Sequence, residues 1–73
     1  MKVPLGERVR RARRAQDMTQ DTLAQRSGLN VMTIWRLEKG KAKAVYADTV
    51  ADLARSLRVS ADYLLGLSEQ EHP

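Results

Sequence analysis

The chain has no cysteine and no phenylalanine, one histidine, one tryptophan and two prolines among its 73 residues. Without cysteine there is no disulfide to staple a small core and no thiolate to hold zinc. The single histidine, His72, stands next to the C-terminal residue, so imidazole ligands cannot cluster either. No metal and no cofactor is expected. With phenylalanine absent and aromatics at 4%, the core has to be aliphatic. No apolar run approaches the ~18 residues that a membrane span requires. The opening "MKVPLGERVRR" is basic but has no apolar stretch behind it, so it does not read as a secretion signal. The expected location is the cytoplasm. Catalysis needs clustered groups of shifted pKa in a pocket. Here the carboxylates fall mostly at helix-capping positions, so no catalytic residue and no enzymatic activity are expected.

What the chain does have is positive charge, unevenly placed. At 42% hydrophobic and 30% charged, it has the composition of an ordinary globular domain. A domain of this size buries only about 60% of its unfolded surface. The net charge is +4. Residues 1–43 carry eleven basic side chains against four acidic ones, a balance of +7, and residues 44–73 carry two against five, a balance of −3. That asymmetry suggests a polyanionic partner for the first half, the plain alternative being a solvated basic face.

The apolar residues recur at helical spacing, and no stretch alternates with period two. Leu5, Val9 and Ala12 predict a first helix over roughly residues 4–16, with Pro4 in its first turn. Thr19 is placed to cap a second helix, "TQDTLAQRS", and Gly28 to end it. Asn30 caps a third helix over 31–39, stopped by Gly40. After the basic loop "KAKAVYA", Val50, Leu53, Ala54 and Leu57 mark a fourth helix opening at Ala47 or Asp48. Ser60 caps a fifth, "ADYLLGL". The expected organisation is one all-α domain of five helices over 1–67, followed by a polar, frayed tail over 68–73.

Two helices joined by a short glycine turn form a helix-turn-helix, a weak signal by itself because helical corners are common. The third helix adds to it. Thr33, Ile34 and Leu37 share an inward arc with Glu38 at its edge, while Met32, Trp35, Arg36 and Lys39 fall on the other side and Val31 lies at the border. An outward face holding Met and Trp implies a contact. An α-helix fits the major groove, where Arg36 could grip guanine and Val31 and Met32 a thymine methyl. Trp35 has two readings, one capping the small core and one touching a partner; the second predicts an exposed ring in the free protein.

The segments "MTQDTLA", Gly28, "TIWRLEKGK", "TVADLARSLRVS" and "YLL" together resemble the Cro/repressor-type (XRE) helix-turn-helix family over about residues 6–66. The resemblance implies a five-helix, lambda-repressor-like domain that acts as a homodimer on pseudo-palindromic double-stranded DNA. It implies base readout by Val31, Met32, Trp35 and Arg36. Backbone phosphate contacts fall to Gln20, Thr33, Lys39, Lys41 and Lys43, and a structural ion pair to Arg13 and Glu38. Departures from the family pattern are the apolar Val31 and Met32 at reader positions, Val45 and Tyr46 where Pro is common, Ser27 in place of a larger apolar residue, and Arg58 where Gly or Asn is common. Leu64, Leu65 and Leu67 exceed what the small core needs and are the candidate dimer interface. The expected function is transcriptional regulation, as a repressor. The alternative is an antitoxin or protein-interaction module using the apolar face of the third helix, with a toxin as partner.

Overall fold

A computed structural model describes residues 5–42 and 44–72. The order is α1 (Leu5–Ala15), α2 (Gln20–Ser27), α3 (Val31–Glu38), α4 (Ala47–Leu57) and α5 (Ala61–Leu64), with no strand among the described residues. Pro4 lies outside the described residues. The helix starts follow local capping chemistry. The Thr19, Asn30 and Ser60 side chains accept hydrogen bonds from the backbone N–H groups of Thr22, Met32 and Tyr63. α4 starts at Tyr46 with no side-chain cap.

All five helices end the same way. A residue in the left-handed region follows each: Asp17 after α1, Gly28 after α2, Gly40 after α3, Arg58 after α4 and Gly66 after α5, with φ of 54°, 73°, 72°, 57° and 79°. The next N–H then returns to a carbonyl five residues earlier: Met18 to Arg13, Leu29 to Ala24, Lys41 to Arg36, Val59 to Ala54 and Leu67 to Asp62. Leu29 and Val59 carry this turn onto the core. Arg58 adopts without a glycine a conformation that costs an L-residue roughly 1–2 kcal/mol.

α1 packs on α3, α4 and α5, and α2 on α3 and α4. The core they enclose is Leu5, Val9, Leu23, Ile34, Leu37, Val50, Leu53, Leu57, Val59 and Leu64 with smaller neighbours. It is not wholly aliphatic, because Tyr63 is buried within it. The Tyr63 ring lies under the Arg8 guanidinium at 4.5 Å. α1 approaches α3 closely at Gly6, where a Cβ would run into the Leu37 carbonyl.

One expectation for the C-terminal end is corrected. α5 stops at Leu64 rather than running through Leu67, because the Leu65–Gly66 turn closes with hydrogen bonds from Gly66 to Tyr63 and from Leu67 to Asp62. The described part of the tail makes polar contacts with the body of the fold. Arg8 donates to the carbonyls of Tyr63 and Ser68 and pairs with Glu69 at 3.0 Å, and Ser60 N–H donates to the Glu71 carbonyl at 2.6 Å. No helix is long and apolar enough to cross a membrane among the described residues.

Candidate nucleic-acid interface

α3 is positioned from within. Ile34 and Leu37 are buried in the core, and Glu38 is fixed from two other elements. Arg13 on α1 grips the Glu38 carboxylate in a two-pronged pair, Nε at 2.8 Å and a terminal nitrogen at 2.9 Å, while its other terminal nitrogen donates to the Met18 carbonyl. Gln20 at the start of α2 donates to the same carboxylate at 3.2 Å. The two charged side chains retain only 10% and 4% of their exposure. The hydrogen bonds it donates to Glu38, opposed by desolvation and reinforced by the Glu38 charge, hold the Arg13 guanidinium above the ordinary arginine range. One carboxylate thus ties α1, the α1–α2 turn and α2 to the C-terminal end of α3. A two-pronged arginine–carboxylate pair fixes orientation as well as distance.

The outward face of α3 is open at Met32, 47% exposed, and at Arg36. Val31 is half-buried and packs on the core, so its outward surface is small. Thr33 is also half-buried and lines a hollow of about 240 Å³ with Leu29, Ala42 and Tyr46, between α3 and the loop that follows. Gln20 has its amide engaged on Glu38 and still reaches the surface in part.

Trp35 departs from the expectation of an exposed ring. It is half-buried, yet it is not among the side chains packed on the core. Two lysines of the α3 end lie over its ring: the ammonium of Lys41 is 5.3 Å, and that of Lys39 5.9 Å, from the ring centroid. Lys43 lies outside the described residues. On α1, Arg10, Arg11 and Arg14 line a shallow exposed groove with Glu7. The loop also bares Tyr46 at 81% exposure, a feature whose only sequence signal is an aromatic residue at an uncapped helix start.

The proposed dimer leucines separate. Leu64 is fully enclosed by its own subunit and has no surface to offer a partner, which corrects its assignment. Leu65 is half-buried against the core, and Leu67 is 74% exposed.

Comparison with known proteins agrees with this architecture. A family model described as a helix-turn-helix domain matches residues 4–69. An uncharacterized transcriptional regulator in the ATPase CF(0) region of Rhodospirillum rubrum is 35% identical over 69 residues. The match covers 94% of this chain and 63% of that protein, so the chain spans less than two thirds of that relative's length. The crystal structure of the restriction-modification controller protein C.AhdI from Aeromonas hydrophila superposes with a TM-score of 0.79 at 32% identity, over 85% of this chain and 92% of that one. The P22 c2 repressor, solved in complex with a synthetic operator, superposes with a TM-score of 0.80 at 25% identity, over 93% of this chain and all of that one. The chain belongs to the helix-turn-helix domain family, in its Cro/repressor (XRE) branch.

Proposed function

We propose that the chain is a sequence-specific DNA-binding transcriptional regulator, a repressor, that seats α3 in the major groove of double-stranded DNA. The observation that carries this reading is the outward face of α3, where Met32 and Arg36 stand free beside the lysines of its C-terminal end. Arg36 has the fork that matches guanine O6 and N7, and Met32 offers an apolar contact to a thymine methyl. Val31 contributes the edge that its core packing leaves outside. Lys39, Lys41 and Lys43, with Gln20, Thr33 and the α1 arginines, meet the phosphates that flank the groove. The family membership and the operator complex of the P22 c2 repressor support the same reading.

One helix in one groove reads few bases, so the regulator binds as a homodimer on a pseudo-palindromic operator. Leu67 is exposed, and Leu65 lines an apolar hollow of about 330 Å³ with Leu5, Val45 and Val50. That surface is the one offered to the second subunit. A protein partner for α3, such as a toxin, is not favoured: Met32 is the one strongly exposed large apolar side chain on that helix among the described residues, too little for an apolar docking face. No residue is assigned a catalytic role, and the site of action is the cytoplasm, where the DNA is.

The test is a titration of the whole chain with generic duplex DNA at several salt concentrations. Four to six phosphate contacts per subunit predict a log–log slope of roughly −4 to −5 for each subunit bound. A slope near zero would remove DNA as the partner.

A further inference from the structure

We propose that Trp35 is a positioning residue for DNA phosphate binding: its ring is the platform on which Lys39 and Lys41 are held at the end of α3. The inference rests on the DNA-binding reading above and gives Trp35 a different task from reading bases. Two independent features of the chain bring the lysines to one ring. Lys39 follows Trp35 by four residues, which places it on the same helix face. Lys41 arrives by the turn. Gly40 takes φ 72°, Gly40 N–H donates to Leu37 and Lys41 N–H to Arg36, so the chain reverses and lays residue 41 back over the last turn of α3.

The same turn ends α2 and α4, and there the returning residues are Leu29 and Val59, which pack on the core. After α3 the returning residue is a lysine, and the surface it meets is an indole. Both ammoniums lie within 6 Å of the ring centroid, the range in which the negative face of the ring attracts a cation. The carbonyls at the α3 C-terminus add a second attraction for positive charge. Two flexible side chains that would otherwise sample many rotamers are thus confined in the free protein. Ordering them in advance lowers the entropy cost of engaging phosphates. The half-burial of Trp35 is then explained by cover from cations rather than by the core.

The test has two arms, both on the full chain. In the free protein, NMR should show the Lys39 and Lys41 side-chain methylene protons displaced upfield by the indole ring current, and Trp35→Leu should abolish the displacement while the helical spectrum and melting temperature hold. In the second arm, wild type, Trp35→Leu, Trp35→Phe and the double variant Lys39→Ala/Lys41→Ala are titrated with generic duplex DNA across salt. Trp35→Leu should bind about tenfold more weakly and flatten the log–log slope by up to ~1–2 units, the share of two phosphate contacts. Trp35→Phe, which keeps a π face, should recover most of the loss. Adding Trp35→Leu to the lysine double variant should cost nothing more, since the ring acts only through those lysines. Three results would overturn the proposal. One is the absence of the upfield displacement in wild type. Another is a Trp35→Leu loss confined to a selected site with the slope unchanged, the behaviour of a base reader. The third is a full additive loss on the lysine variant. If wild type showed no salt-dependent DNA binding, the DNA reading would fall and this role with it; an intact ring-current displacement would then mark the fault as lying in the reading and not in the geometry.

Discussion

At the residue scale the structure depends on a few side chains whose partners are far away in sequence. Glu38 is the clearest. It receives three hydrogen bonds, two from Arg13 and one from Gln20, with little solvent contact. Removing one member of a buried pair strands the other charge, which costs about 3–5 kcal/mol, against ~0–1 kcal/mol for an exposed pair. Glu38→Ala should therefore lower the urea unfolding free energy by about 3 kcal/mol. A loss under about 1 kcal/mol would show that water serves Arg13 as well as Glu38 does. The Arg13 shift is upward on a basic group, so its stabilisation is complete below the ordinary arginine range and fades only as pH rises beyond it. Gly6 is a second such residue. Its substitution by Ala sets a methyl group against the Leu37 carbonyl, and overpacking of this kind costs roughly 1–3 kcal/mol. Thermal unfolding of Gly6→Ala should shift down by roughly 4–8 °C per kcal/mol; an unchanged midpoint would mean that α1 slides away freely. The ion pair was legible from the family resemblance. The Gly6 approach was not, because nothing local distinguishes a glycine needed for packing from one merely tolerated in a first turn.

At the scale of elements the sequence was informative wherever the chemistry is local. Thr19, Asn30 and Ser60 cap the helices they were expected to cap, and Gly28 and Gly40 end the helices they were expected to end. Each of these signals is one side chain acting on its own backbone within five residues. What escaped was decided across the fold. The polar composition of the tail gave no sign that Arg8, sixty residues away, donates to the Ser68 carbonyl. Periodicity placed Trp35 outward, and the turn after α3 then returned Lys41 over it. In the proposed reading α3 is the element that meets DNA, and Arg36 is its most exacting test. Arg36→Ala should cost ~1–3 kcal/mol on a preferred site and little on random DNA, relaxing specificity at one base pair. Binding titrations on the two DNAs separate the roles; equal losses would make Arg36 a backbone contact.

At the scale of the whole molecule the charge asymmetry of the sequence acquires a geometry. Of the balance of +7 in residues 1–43, +5 falls on the described residues 5–42, on α1, α2, α3 and the turns after them, and the −3 beyond falls on α4, α5, the turn between them and the tail. A polyanion would attract the first set and repel the second, which orients the domain before any base is read. In the proposed homodimer, exposed Leu67 and the hollow beside Leu65 would face the second subunit. The most direct measurement is selection of binding sites from random duplex DNA by the full chain, followed by hydroxyl-radical footprinting of the enriched site. Two protected patches centred about 10 bp apart on a pseudo-palindromic sequence are expected, as two α3 helices in successive major-groove faces require. Failure to enrich any sequence, with uniform weak protection, would contradict readout by α3.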